Sequence, residues 1–125
     1  FVAHAIFADL PVFDMVFLNQ GTCNSDIQEG IFTHYEAAAL LPYQNELVAL
    51  RLRGQHIRIA LEHGVNAALF LATTSRRGAY PATAGIRYKL DTTQTKGERI
   101  SQVEVMEYDC QFEPMDPDKY YTVLT

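Results

Sequence analysis

The chain has 125 residues, 48% of them apolar and 20% charged, with a formal net charge of −5 and a pI near 5.2. Those numbers describe one folded domain with enough apolar material for a core, and they exclude a disordered chain. They also exclude the clustered positive charge of a nucleic-acid surface, since the basic pairs Arg51/Arg53 and Arg76/Arg77 stand alone.

No apolar run approaches the roughly 18 residues that a membrane span needs. The apolar start, Phe1 to Leu10, has no basic flank of the kind that opens a secretion signal. With no initiator Met, the chain reads as a fragment or a processed product of a longer protein. Cys23 and Cys110 have no metal-type spacing, and they allow one disulfide or two free thiols.

In chain order, Val2, Ala5 and Ile6 predict a first helix that Pro11 ends. Residues 14–18 are nearly all apolar, as in a strand buried on both faces. They feed a polar loop, Asn19-Gln20-Gly21-Thr22-Cys23-Asn24-Ser25-Asp26, with the amides, hydroxyls and glycine of a ligand-binding turn. Thr33 and Glu36 have capping-box spacing ahead of a short helix that Pro42 limits.

Residues 47–53 alternate, with Val48, Leu50 and Leu52 on one face, and predict a half-buried strand that Gly54 breaks. A further helix follows, with Ile57, Ala60, Leu61 and Val65 on its stripe and a stop at Gly64. Residues 66–80 are the least readable: Asn66 to Leu71 could extend the helix, and Thr73–Gly78 reads as an exposed loop. Ile86, Tyr88 and Leu90 mark a half-buried strand. A hairpin connection over 92–99 leads to a strand from Ile100 to Tyr108 with Val103 and Val105 on one face. A turn at Pro114–Asp118 precedes a last strand at Tyr120–Leu124. The order is helix, strand, helix, strand, helix, then three strands: an α+β, or mixed α/β, domain.

No complete catalytic constellation is present. His4, His34, His56 and His63 form no metal-binding pair. Glu62 and His63 read as the polar edge of a helix, because adjacent helical residues do not face one another. Neither a phosphate loop nor a G-x-S-x-G nucleophile turn occurs.

Six stretches, in order, resemble the C-terminal domain of the 5'-nucleotidase family, which includes UDP-sugar hydrolases and apyrases. Phe1-Val2-Ala3-His4-Ala5 is similar to its L-[IV]-A-D-A helix. Asn19-Gln20-Gly21-Thr22-Cys23-Asn24 stands where the family has N-G-G-G-I-R. Phe32 to Glu36 and Leu41-Pro42-Tyr43-Gln44-Asn45-Glu46-Leu47 echo I-T-x-x-D and L-P-F-G-N-x-L. Leu52-Arg53-Gly54 through Ala60-Leu61-Glu62-His63-Gly64-Val65 is similar to L-x-G-x-x-[IL]-x-x-A-L-E-H-G-V. Ala84 to Tyr88 resembles S-G-[IL]-R-Y, and Asp116 to Thr125 resembles D-P-x-x-x-Y-x-V-x-T.

The resemblance implies a 5'-nucleotidase C-terminal-like fold over 1–125, a mixed sheet packed with helices in layers and clipped at both ends. It implies a substrate-recognition role beside an N-terminal metallophosphoesterase domain, absent from this chain, that holds two divalent metals of the Zn or Mn type. No cofactor is expected on this chain, and the isolated chain is expected to be inactive. The ligand would be a nucleoside or nucleotide, and the location extracytoplasmic (secreted, periplasmic or cell-surface).

By position in the motifs, Tyr43 would stack on the base, and Asn19 and Asn45 would contact it. Asn24, in place of the family's Arg, would be a weakened contact. The loss of a charged fork costs about 1.5–3 kcal/mol, or about tenfold to a hundredfold in affinity. Gln20, Thr22 and Gln44 replace family glycines, which would cost strain or block the ligand where positive φ or close approach is needed. The family continues past the position of Thr125 into N-x-x-x-x-G-G-D-G-[FY], which carries a second stacking aromatic. The alternatives are a degenerate structural or protein-interaction domain that has lost nucleotide binding, and a relative with another anionic or ester substrate.

Overall fold

In a computed structural model, residues 2–9, 12–23, 25–27, 29–43, 45–70, 78–107 and 110–125 are described. Helix α1 is Val2–Asp9, strand β1 Met15–Asn19, helix α2 His34–Leu40, strand β2 Ala49–Arg53 and helix α3 Gly54–Phe70. Five strands follow: β3 Pro81–Ala84, β4 Ile86–Leu90, β5 Ile100–Met106, β6 Phe112–Pro114 and β7 Tyr120–Leu124.

The strands form two sheets, packed with helices in layers as expected. The first has the order β2-β7-β1-β3 and the second β4-β5-β6. The first is mixed: β1 runs parallel to β7, while β3 and β2 are antiparallel to their neighbours. β1 is buried on both faces, as its apolar sequence demands. Met15 belongs to one core with Ile57, Leu61 and Val65 of α3 and Ile86, Ile100 and Val105 of the second sheet. Val16 and Leu18 belong to another, with Ala3 of α1, Ala84 and Leu124. The layers are therefore α1, the four-stranded sheet, and then α3 with the three-stranded sheet. Each large apolar side chain so buried contributes about 1.5–3 kcal/mol.

The structure corrects several details. Ala5 of α1 is exposed and Ala3 is the buried alanine. Pro11 and Tyr108 lie outside the described residues. Of the two readings at this helix's end, the extension holds and the stop at Gly64 does not: α3 runs on to Phe70. Gly64 serves close packing instead: a Cβ there would lie 3.0 Å from the Ala79 carbonyl oxygen and 3.2 Å from Pro81. Ala60 faces solvent, so the buried stripe is Ile57, Leu61 and Val65. β2 is an edge strand, and Val48 and Leu50, expected to face inward, are 49% and 40% exposed.

The capping box at α2 is formed. The Tyr35 N–H donates to Thr33 Oγ1 at 3.2 Å, and the Thr33 N–H donates to the Glu36 carboxylate at 2.9 Å. β3 and β6 are the strands that the sequence conceals. Pro81-Ala-Thr-Ala has no large alternating side chains, because α1 packs down on Ala82 and Ala84. β6 is only three residues long and ends on proline. In β5, a register shift against β4 accompanies a positive φ of 47° at Gln102. That bulge is why Ile100 and Val105 are both buried although five residues apart.

Candidate ligand site at the carboxyl end of β1

Sheet register brings four separated segments to one end of the molecule. β1 pairs with β7 through Met15↔Val123 and Val16↔Leu124, so Phe17 to Asn19 project past the end of β7. The chain enters β2 at the same end, where Val48 and Thr125 exchange backbone hydrogen bonds of 2.7 and 2.9 Å. β3 starts there too, with Pro81 opposite Asn19. Ala68 and Leu69 of α3 line a cavity of about 610 Å³ together with Gln20, Gly21, Gly78 and Tyr80. The space beyond the carboxyl ends of strands is where α/β sheets bind ligands, because the connecting loops leave a crevice there.

The loop at this end is a 3₁₀ turn, Gln20–Thr22. The Gln20 N–H donates to the Tyr80 carbonyl at 2.8 Å, and Thr22 Oγ1 donates to Asn19 Oδ1 at 3.0 Å. Asn19 is thus oriented by its own loop, with its carbonyl oxygen engaged and its amide nitrogen left as donor. Gly21 lies against Gly78: a Cβ on Gly78 would stand 2.9 Å from the Gly21 Cα. Gly78, the last residue of the predicted loop, therefore forms a second wall of the cavity, and residues 73–77 of that loop lie outside the described residues. A glycine closing a polar run ahead of Tyr80-Pro81 gave no signal distinct from an ordinary turn.

Asn19 is exposed and lines a smaller cavity of about 270 Å³ with His4, Thr22, Cys23, Leu40 and Thr83. Tyr43 is 57% exposed, and it lies with the exposed Asn45 on the connection between α2 and β2. Neither residue lines the cavity beside Asn19. Asn24 and Gln44 lie outside the described residues.

Neither Gln20 nor Thr22 has a positive φ. The side chains that replace family glycines at these two positions are accommodated without backbone strain. Cys23 and Cys110 are both exposed and unbridged. Among the described residues, no three His, Cys, Asp or Glu side chains stand close enough to hold a metal ion. No helix among them is long and apolar enough to cross a membrane.

Glu62 is not at a polar edge. It is 7% exposed, and its Oε1 accepts the Ile100 N–H at 2.6 Å across the helix–sheet interface. His63 beside it is exposed. Beneath the site, the Tyr88 hydroxyl is held well above its usual titration range by burial, with the hydrogen-bonded Tyr80 adding to the shift.

The elements form an α+β domain with a loop-lined cavity past a parallel strand pair. The family model for the 5'-nucleotidase C-terminal domain matches residues 1–125. The chain is similar to the NAD 5'-nucleotidase of Haemophilus influenzae, with 34% identity over an alignment that covers all of this chain and 21% of the relative. The solved structure of that species' NAD nucleotidase superposes with a TM-score of 0.87 at 33% identity, over 99% of this chain and 22% of the other. A sulfate thiohydrolase, SoxB of Thermus thermophilus, solved with glycerol, superposes with a TM-score of 0.73 at 26% identity, over 98% and 22% of the two chains. This chain belongs to the 5'-nucleotidase C-terminal domain family, and it spans about a fifth of the length of the curated relatives it matches.

Proposed function

We propose that this domain recognises the nucleoside part of a nucleotide for a 5'-nucleotidase-like, metal-dependent phosphohydrolase and has no catalytic centre of its own. The observation that carries the reading is the match of the whole chain to a 5'-nucleotidase C-terminal domain. The crevice at the end of β1 supports it, with Asn19 held by Thr22 and Gly21 packed on Gly78. Tyr43 would supply a ring face for the base, and Asn19 and Asn45 its polar edge contacts. Asn24 offers a weaker bond than an arginine would.

In this reading an N-terminal metallophosphoesterase domain supplies two divalent ions of the Zn or Mn type, which polarise the phosphate and activate water. This chain positions the substrate against them. The isolated chain is expected to show no phosphatase turnover with added Zn²⁺, Mn²⁺ or Mg²⁺. An extracytoplasmic location belongs to the same proposal. The ligand set includes adenosine, AMP and, because of the Haemophilus relative's name, NAD.

A second reading is a domain that has lost its ligand and serves as a structural or interaction module. Asn24 in the place of a family arginine favours it. The unstrained backbone at Gln20 and Thr22 takes away the strain argument at those two positions and leaves the argument that their side chains block a ligand. Calorimetric titration of the chain and of Asn24→Arg with adenosine, AMP and NAD separates the two. Recognition predicts weak binding that the arginine tightens by about tenfold to a hundredfold. Heat from neither variant with any ligand would favour the degenerate domain.

A further inference from the structure

Strand β2 has one edge that no strand among the described residues covers. The sheet order ends at β2, which pairs with β7 alone. Val48 and Thr125 exchange both backbone bonds, and the antiparallel register runs on through Leu50↔Val123 and Leu52↔Tyr121. Antiparallel pairs alternate between bonded and non-bonded, so the intervening Ala49 and Arg51 turn their N–H and C=O groups away from β7. Both residues are exposed. An open row of backbone groups of this kind is a template for a further strand.

The two faces beside that edge differ. On one, Val48 and Leu50 are uncovered, although Leu50 stands opposite the buried Val123. On the other, Arg51 and Arg53 both lie over the Tyr120 ring, with guanidinium carbons 5.1 and 5.2 Å from its centroid. One exposed ring thus holds two cations, and their positions along the strand are about 6.6 Å apart. The ion pairs of the described residues are Arg87 with Glu104 and Lys119 with Glu107, and neither Arg51 nor Arg53 takes part. The edge therefore offers backbone bonds, an apolar strip on one side and a pair of ring-held positive charges on the other.

We propose that the β2 edge docks an extended segment of a partner protein in which acidic and apolar residues alternate. The segment adds a fifth strand to the β2-β7-β1-β3 sheet. Its backbone bonds to Ala49 and Arg51, its acidic side chains meet Arg51 and Arg53, and its apolar ones cover Val48 and Leu50. Carboxylate bonds to arginine are the strong, forked kind, and guanidinium groups already stacked on a ring lose less freedom when they bind. A second copy of this chain does not fit the edge. Pairing β2 with β2 sets arginine against arginine, and like charges across a strand pair are destabilising. The proposal does not rest on the nucleoside reading.

The test is a ¹⁵N NMR titration of the chain with the capped peptide Val-Glu-Val-Glu-Val. Val-Lys-Val-Lys-Val is the charge control, and Val-Glu-Pro-Glu-Val the control that lacks a ladder donor. The acidic peptide is expected to shift the Ala49 and Arg51 amides in a saturable way, at least about tenfold more tightly than either control. The double variant Arg51→Glu with Arg53→Glu should reverse the preference and bind the lysine peptide more tightly, a reversal that also shows the variant to be folded. Equal affinity of the unaltered chain for the acidic peptide and either control overturns the proposal. So does an absence of saturable shifts at millimolar peptide, which would leave the arginines as guards against self-pairing of the edge. A dimer in sedimentation whose formation moves the same two amides would overturn it in favour of a second copy.

Discussion

Gly21 and Gly78 pack backbone on backbone, close enough that a methyl group on Gly78 would stand 2.9 Å from the Gly21 Cα. The contact joins the loop after β1 to the chain that leads into β3 and fixes the width of the crevice. Gly78→Ala should therefore force the two segments apart and cost about 1–3 kcal/mol. Urea denaturation measures this. The same variant should weaken nucleoside binding, because Gln20 and Tyr80 shift with the loop.

Glu62 ties α3 to the start of β5 through the Ile100 N–H. Glu62→Ala removes the acceptor and leaves a buried N–H unserved, at a cost of about 1–3 kcal/mol. Glu62→Gln should recover most of that loss. The comparison of the two midpoints in urea separates the hydrogen bond from the packing of the side chain.

The capping box at α2 gives the domain an acid-sensitive element. Hydrogen bonds from Thr33 hold the Glu36 carboxyl below its ordinary value of 4.5. Folding therefore favours the ionised form. The contribution is complete above the unfolded value, near 4.5, and is lost as pH falls through the lower folded value. Stability measured against pH by circular dichroism should show part of its acid loss below pH 4.5 disappear in Glu36→Gln. Thr33→Ala should cost about 1 kcal/mol at neutral pH.

The long alternations and apolar runs were legible in the sequence because they report burial directly. β1, β4, β7 and the core of α3 fall where their patterns place them, and the α2 cap falls where Thr33 and Glu36 place it. The edge strand β2 misled because alternation predicts a face, whereas burial depends on what covers that face. Val48 and Leu50 have the pattern without the cover. β3 was hidden because its work is to be small under α1. Glu62 was hidden because an acidic residue beside a histidine on a helix has no sequence mark of burial.

The site was half legible. The loop at Asn19 could be read from its composition and its place after a buried strand. Gly78 and Tyr80 could not, since their role comes from a β1–β3 pairing between residues some sixty apart in the chain.

Tyr43 carries the most direct consequence of the recognition proposal. Base stacking on an aromatic ring is worth about 1–3 kcal/mol, so Tyr43→Ala should weaken adenosine binding about fivefold to a hundredfold. Tyr43→Phe should leave it nearly unchanged.

The measurement that tests the central claim most directly is an NMR titration of the chain with adenosine and AMP, followed at the Tyr43 ring and the Asn19 side-chain amide. The account predicts saturable upfield movement of the Tyr43 ring signals, as a stacked base shields them, together with a shift at Asn19. Unmoved signals at both residues at millimolar ligand would contradict it.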